Sequence, residues 1–299
     1  MAVGDLNAGY RGLATIGGTQ VRFSDANISA KQQINAPDLV MGDWDRDAYN
    51  YGPISYDGSI SGPVSEGFLE GAESAIKWVT KRIGTCGTLD RKDIGLYYYC
   101  NRSREFSDFY GDSIDFNVSA GDVANFTLNV KGVDADPWGD AAPPEKKNAE
   151  KLITWDKVNA TIAKTGGNPD STELPDPIDS IILQSFQFNV ANNLEYQYAL
   201  SQSNLKPFDI IPGLRQLSGS ITIYNVEEFE GYDTFDGYCA GSEHFITFSL
   251  SEGGACSIPE QEIQMKVRFE RINPTLNTSV VTSTVGFTGV GHQVGEYWE

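Results

Sequence analysis

The feature that most constrains the fold of this chain is a short motif that occurs twice. The segment Tyr56–Val64 reads YDGSISGPV and Leu217–Ile223 reads LSGSITI, so Gly-Ser-Ile recurs 161 residues apart. In a second register, of 165 residues, Ala26-Asn27 matches Ala191-Asn192. Because the order of strand-like segments around these motifs also repeats, the sequence predicts one structural unit present twice.

Alternating apolar and polar residues predict antiparallel strands in both halves. Residues 114–118 and 124–130 alternate strictly, as half-buried strands do. Gly17-Gly18 separates two apolar runs and predicts a tight hairpin, because both central residues of a primed turn need positive φ. Residues 152–158 and 186–190 predict similar strands in the second half. The predicted fold is mainly β, with two tandem antiparallel β-sandwich or barrel domains.

One amphipathic helix is predicted in the first half. Between Val64 and Val79 apolar residues recur at i, i+3, i+4 and i+7, which is the period of a helix with one buried face. Ser65 is a plausible N-cap, and Gly84 is expected to end the helix. The second half has no equal of this helix.

The boundary between the two predicted domains falls in a Pro-rich, charged segment. Residues 134–150 contain Pro137, Pro143 and Pro144 and have little periodicity, which is typical of a linker. The prediction is therefore a first domain over residues 1–133, a linker over 134–150 and a second domain over 151–299.

A contact arm is predicted between the first strands. Residues 31–57 are long, polar and aromatic, with no clear period, and such a segment inside a compact domain is usually functional. Exposed Trp and Tyr side chains are typical of protein contacts. We therefore expect an arm that reaches a neighbouring subunit. Its expected contact residues are Pro37, Asp43, Trp44, Asp45, Asp47, Tyr49 and Tyr51.

The sequence predicts no metal site and no cofactor. The spacing of Asp43, Asp45 and Asp47 resembles the start of a calcium loop, but Ala48 replaces the required Gly and Ile54 the bidentate Glu. The four cysteines have no metal-ligand spacing, and we expect buried thiols, with a bridge within each half as the alternative. These cysteines are Cys86, Cys100, Cys239 and Cys256.

No catalytic motif is present either. His244 and His292 have no nucleophile or carboxylate at a recognisable spacing, so structural or surface roles are expected. The chain has no nucleophile elbow, P-loop or dinucleotide fingerprint. Carboxylates are abundant, so a glycosidase with paired Asp or Glu residues stays open as an alternative.

The net charge of −19 argues against groove binding to nucleic acid, which requires clustered Lys and Arg. It is compatible with a surface that nucleic acid passes without sticking. The N-terminus has no basic flank and no apolar run, and no segment is apolar enough to span a bilayer. We therefore expect a protein kept in the cytosol, or assembled there and released by lysis.

The order of predicted elements resembles that of the tail tube proteins of long-tailed bacteriophages. It consists of a hairpin, a long irregular arm, a strand ending in Gly-Ser-Ile, a helix and a closing antiparallel hairpin. Residues 152–156, 186–193 and 219–221 carry the resemblance most closely. The chain departs from it in its duplication, because many such proteins carry a single unit.

The resemblance implies a structural virion protein and not an enzyme. It implies rings stacked into a tail tube whose acidic lumen conducts DNA without specific binding, assembled in the host cytoplasm. With two units per chain, a trimeric pseudo-hexameric ring is expected, with a hexamer as the alternative. Sheath, baseplate or terminator proteins would be further partners, and no membrane is involved. The competing hypothesis is a carbohydrate-binding or adhesive β-module that uses Trp44 and Tyr51.

Overall fold

A computed structural model describes residues 12–35, 50–65, 75–80, 82–83, 88–98, 102–141, 144, 152–164, 182–200, 205–224, 243–250, 261–270, 273–276 and 281–290. These residues form eighteen strands, one short α-helix and one 3₁₀ turn. The strands are β1 Leu13–Ile16, β2 Thr19–Val21, β3 Asp25–Asn35, β4 Asn50–Pro63, β5 Arg82–Ile83, β6 Thr88–Leu89, β7 Lys92–Tyr98, β8 Arg102–Ser119, β9 Asn125–Ala135, β10 Val158–Lys164, β11 Ile182–Ala191, β12 Glu195–Gln197, β13 Asp209–Ile211, β14 Gln216–Tyr224, β15 His244–Leu250, β16 Gln261–Phe269, β17 Asn273–Leu276 and β18 Val281–Gly289, and the helix is α1 Ala75–Thr80.

Fourteen of the strands form one antiparallel sheet. Along β9 the side chains of Phe126, Leu128 and Val130 are buried while those between them are not, which is the alternation that a sheet with one covered face requires. The pairs β5–β6 and β12–β13 form two small separate sheets. The prediction of a mainly β fold is confirmed.

Six strands in each half follow the same order. In the first half they run β1-β7-β8-β9-β4-β3, and in the second half β10-β15-β16-β18-β14-β11. The Gly-Ser-Ile motifs hold the same place in this order, because Gly58 pairs with Ile28 and Gly219 pairs with Phe188. The 165-residue register is not followed in the structure. Ile28 and Phe188 hold equivalent places, but Ala26 lies two residues before Ile28 whereas Ala191 lies three residues after Phe188.

The two motif glycines meet the same obstacle. A Cβ added at Gly58 would lie 2.1 Å from the carbonyl oxygen of Asn27, and one added at Gly219 would lie 2.3 Å from that of Gln187. Both oxygens belong to the residue just before the paired one on the neighbouring strand. Glycine is therefore required at both places because the neighbouring backbone is too close for any side chain.

Strand β8 joins the two halves. One edge of it pairs with β9, while its other edge pairs with β7 over residues 102–109 and with β11 over residues 113–119. The halves are thus connected by a backbone hydrogen-bond ladder, in addition to the segment between them. Part of the predicted linker also lies against the first half, because β9 runs to Ala135 and Gly139 forms a bridge with Ser103.

The sheet of the second half curls over so that its buried face closes on itself. The ring of Phe248 on β15 lies 4.9 Å from the rings of both Phe116 and Phe186, although four strands separate β15 from β8 in the sheet. The ring of Phe287 also stacks on that of Phe186, with centroids 6.2 Å apart. Offset and edge-to-face aromatic pairs each add about 0.5–1.5 kcal/mol beyond the burial of their area.

The tight hairpin at Gly17-Gly18 is confirmed. The two glycines have φ of 57° and 82° and connect β1 to β2. Both values lie in the left-handed region, which glycine enters without a steric penalty. Local turn chemistry therefore determined this connection.

The helix α1 is confirmed as an element, and residues 66–74, which hold the predicted first turns after Ser65, lie outside the described residues. Ser65 forms an isolated bridge with Leu152, and the N–H of Val64 donates to the carbonyl of Ala124. Both residues extend the strand order of β4 because the neighbouring backbone offers them hydrogen-bond partners. Within α1, Ile76 and Trp78 are buried against the sheet. Gly84 lies outside the described residues.

Candidate assembly surfaces

Strands β3 and β17 each have one edge without a described partner strand. These two edges correspond to the edges of β11 and β8 that pair with each other inside the chain. Among the described strands, β3 pairs only with β4 and β17 only with β18. In the shared order β3 corresponds to β11. Strand β17 pairs with β18 in the second half in the same way as residues 113–119 of β8 lie beside β9 in the first half. Pro274 lies in β17, and proline in sheets is largely confined to edges.

The segment between β11 and β14 folds back over the first half. We call its described part, residues 192–200 and 205–215, the strap. The hydroxyl of Tyr196 donates to the carbonyl of Tyr56 at 2.6 Å, and that of Tyr198 to the carbonyl of Ile54 at 3.0 Å. The N–H of Ile54 in turn donates to the carbonyl of Leu205 at 2.8 Å. The strap therefore lies beside the start of β4, where the predicted arm ends.

Ion pairs attach the strap to the first half. Lys206 lies 2.5 Å from Asp134, and Asp209 lies 3.1 Å from Arg91. The hydrogen bond with Asp134 raises the pKa of the Lys206 ammonium. Burial raises the pKa of the Tyr196 phenol, so this hydroxyl stays a donor across the physiological range.

A buried amide and a guanidinium fix both ends of the strap to α1. The Asn192 amide nitrogen donates to the carbonyls of Val79 at 2.7 Å and Gly111 at 2.9 Å, and its oxygen accepts from Arg215 at 2.9 Å. Arg215 also donates to the carbonyl of Thr80 at 2.6 Å. These donors satisfy carbonyls at the end of the helix that lack partners within it. No sequence signal had indicated this arrangement, since its members are far apart in the chain.

Exposed apolar side chains are concentrated on and beside the strap. Of the ten large hydrophobic residues that are exposed in the described part of the chain, eight lie there. Singly scattered ones would need no explanation, whereas a concentration of this kind marks a contact surface. We call these eight residues the apolar end surface: Ile34, Tyr51, Tyr198, Leu200, Leu205, Phe208, Ile211 and Leu214.

Residues 31–35 and 50–57, predicted as parts of the irregular arm, instead belong to β3 and β4, which pair with each other. Of the predicted contact residues, Tyr51 is the one that the structure describes. It lies in β4 opposite Ile34, and its side chain is 57% exposed. It therefore belongs to the apolar end surface. The other predicted arm residues lie outside the described residues: Pro37, Asp43, Trp44, Asp45, Asp47 and Tyr49.

A cavity of about 230 Å³ lies where the two halves meet, beside Trp155. Its apolar lining includes Val118 from β8 and Leu183 and Phe186 from β11, and the Trp155 side chain is 50% exposed. The predicted strand over residues 152–158 is wrong here. Residues 155–157 form a 3₁₀ turn, because the N–H of Trp155 donates to the carbonyl of Asp122 and turns the chain.

The uncovered face of the central strands carries mainly hydroxyl and amide side chains. Its charged groups are largely paired. Lys31 contacts Asp57, Lys131 lies 3.1 Å from Asp112, and the Asp115 carboxylate accepts from the Asn189 amide at 2.7 Å. We call this set the polar face: Ser59, Ser61, Ser113, Asn117, Thr127, Asn129, Gln187, Asn189, Ser218, Ser220, Thr222, Thr284 and Thr288.

The remaining candidate residues form no chemical site in the described part of the chain. His244 begins β15, is buried, and packs its ring 5.3 Å from that of Phe269. His292 and the four cysteines lie outside the described residues. Where the structure is described, no three His, Cys, Asp or Glu side chains are grouped to hold a metal. Within the same residues, no helix has the length and apolar character needed to span a membrane.

Comparison with known protein families gives a match. A family described as phage tail tube protein matches residues 4–238, which is more than three quarters of the chain. This span contains the strap, the Trp155 cavity, the first Gly-Ser-Ile motif and the second. A comparison with curated proteins found no match.

Proposed function

Because the chain belongs to the phage tail tube protein family, we propose that it forms rings of three chains that stack into the tube of a phage tail. The family makes it a structural protein of the virion tail. In the proposed ring each chain supplies two tube units, residues 1–133 and 151–299, joined by the segment 134–150. The matching strand order of the halves and the matched Gly58 and Gly219 support this duplication.

The observation that carries the ring is the ladder between β8 and β11. It links the first unit to the second within one chain. The corresponding edges, β17 and β3, have no described partner strand on their free sides. A β17 edge laid against β3 of the next chain would repeat the same joint. Because this contact is head-to-tail, it closes into a ring when the rotation permits.

The register of the internal joint can be transferred to the contact between chains. Phe188 pairs with Phe116 in the internal joint, and in the shared strand order these positions correspond to Ile28 and Pro274. Pro274 supplies no N–H, so the joint between chains is expected to be weaker than the internal one. Ring formation is therefore expected to depend on protein concentration. Three chains give six units, and a ring of six chains is the alternative.

The polar face is the proposed lumen wall. The resemblance to tail tube proteins implied an acidic lumen, whereas hydroxyl and amide groups predominate on this face. Its few carboxylates, such as Asp57 and Asp115, have hydrogen-bond or ion-pair partners. A wall without excess Lys or Arg displaces few counterions from DNA, so DNA is held weakly and can move. We propose a lumen that is close to neutral along the central strands.

The arm remains part of the proposal as a contact between rings, with Pro37, Asp43, Trp44, Asp45, Asp47, Tyr49 and Tyr51 as its contact residues. It connects β3 to β4, and the strap connects the corresponding strands β11 and β14. Both connections leave the sheet at the same end. Sheath, baseplate and terminator proteins are proposed as further partners, with assembly in the host cytoplasm.

The test is direct imaging and mass measurement of the purified chain over a range of concentrations. We expect particles of three chains at low concentration and hollow fibres in negative stain at high concentration. Six chains per ring would select the alternative ring. A chain that stays monomeric at every concentration would overturn the proposal.

A further inference from the structure

We infer that successive rings stack head to tail, with the apolar end surface of one copy seated over the Trp155 cavity of a copy in the next ring. This inference rests on the proposed tube. It adds the two surfaces that meet and the direction in which they meet. The partner on each side is a second copy of this chain.

The two surfaces lie at opposite ends of the same strands. The strap contacts Asp134, which pairs with Ser107 near the start of β8. The Trp155 cavity is lined by Ser119 at the other end of β8. At about 3.3 Å per residue, Ser107 and Ser119 lie about 40 Å apart along the strand. A copy therefore presents an apolar surface at one end and a cavity at the other.

Charge limits which surfaces of this chain can meet. Two copies that each carry −19 repel each other, so a contact between them is favoured where the contact surface itself carries no net charge. The described strap contains two carboxylates, Glu195 and Asp209, and two cations, Lys206 and Arg215. Lys206, Asp209 and Arg215 are already bonded to the first half. The described strap therefore carries no net charge, and two acidic chains can contact each other through its apolar side chains.

The geometry of the contact also fits a tube. A surface that meets a different surface of the next copy, displaced along an axis, generates an open filament and does not close. The strap carries six of the eight exposed side chains of the apolar end surface, whereas the cavity beside Trp155 is a recess of about 230 Å³. Phe208, which is 64% exposed, is the most exposed aromatic side chain of the strap and is the side chain that we place in this recess.

The test compares Phe208→Glu with Gln187→Glu in the full chain. Both add one negative charge at an exposed position, but Gln187 belongs to the polar face and is not among the residues that line the Trp155 cavity. We expect Phe208→Glu to form rings of normal mass that no longer stack, with at least a tenfold loss of fibre length, and Gln187→Glu to form normal fibres. Unchanged thermal unfolding of both variants would show that folding is intact.

Normal fibres from Phe208→Glu would overturn the stacking inference and leave the tube proposal standing. Failure of the wild-type chain to form rings or fibres would instead overturn the tube proposal. A photoreactive phenylalanine analogue at position 208 gives a second readout. We expect it to crosslink, in fibres but not in isolated rings, to a peptide containing Trp155. Crosslinks to any other peptide would contradict the inference, including those to an added sheath protein.

Discussion

Phe116 of the first half pairs directly with Phe188 of the second, and their rings stack with centroids 5.4 Å apart at an angle of 16°. Both side chains are fully buried. The pair therefore places one aromatic contact in the middle of the only described backbone ladder between the halves. Removing either ring should affect both halves together.

Phe188→Ala is expected to lower the free energy of unfolding by about 3–5 kcal/mol, the usual range for truncating a buried Phe. The halves should still unfold in one transition, because the ladder and the shared core couple them. Denaturant unfolding followed by fluorescence and circular dichroism measures both effects. Gln187→Ala, at the exposed neighbouring position, is the control and should change stability by less than about 0.5 kcal/mol. Two separate transitions in the wild-type chain would contradict the coupling.

The sequence predicted those parts of the fold that are determined by residues close together in the chain. Gly17-Gly18 determines its own turn, and the alternation along β9 determines which face is buried. The ladder between β8 and β11 was not predicted, because an alternating strand carries no signal for its partner. The strap was missed because Asn192 and Arg215 act on α1 across more than 100 residues.

Asn192→Ala is expected to lower the free energy of unfolding by about 2–4 kcal/mol, because the carbonyls of Val79 and Gly111 lose the hydrogen bonds from the Asn192 amide and Val79 keeps only a longer one from Arg215. Arg215 loses an acceptor in the same change. The strap should then be cleaved faster in limited proteolysis. Asn117→Ala, at an exposed position of β8, is the matched control. Equal cleavage rates in the two variants would show that Asn192 does not hold the strap.

Gly58→Ala and Gly219→Ala are expected to be destabilising to a similar extent, by about 1–3 kcal/mol each. In both cases the new Cβ would overlap a backbone carbonyl oxygen of the neighbouring strand. Gly139→Ala is the control, because its nearest contact would be 3.6 Å away. Thermal unfolding of the three variants is the measurement. A large effect at one motif and none at the other would contradict the structural equivalence of the halves.

Glu243 is expected to contribute an acid-sensitive part of the stability. Its hydrogen bond with Lys266, helped by the charge of Arg268, holds the pKa of the carboxyl below the usual value of 4.5. A lowered pKa in the folded state means that the stabilisation is present above the unfolded pKa and is lost as the pH falls through the folded one. Urea unfolding should show the wild type more stable than Glu243→Gln at pH 7, with the difference shrinking below pH 4.5. A difference that is constant with pH would contradict this assignment.

Ala30→Pro is expected to block the β3 edge without unfolding the chain. The N–H of Val64 donates to the carbonyl of Ala124, the residue just before β9, so the backbone N–H and C=O groups of even-numbered residues of β4 point to β9 and those of odd-numbered residues point to β3. Because Ala30 pairs with the even-numbered Tyr56, its own N–H points away from β4 towards the open edge. Proline there removes a donor that only the next chain would use.

The measurement for Ala30→Pro is ring formation by native mass spectrometry, alongside thermal unfolding of the monomer. Rings should be lost, while the monomer unfolds close to the wild-type temperature. Ala30→Ser keeps the backbone donor and serves as the matched control, so it should form rings normally. Rings of normal mass from Ala30→Pro would place the contact between chains on an edge other than β3. That result would leave the internal β8–β11 ladder intact but remove it as the template for ring closure.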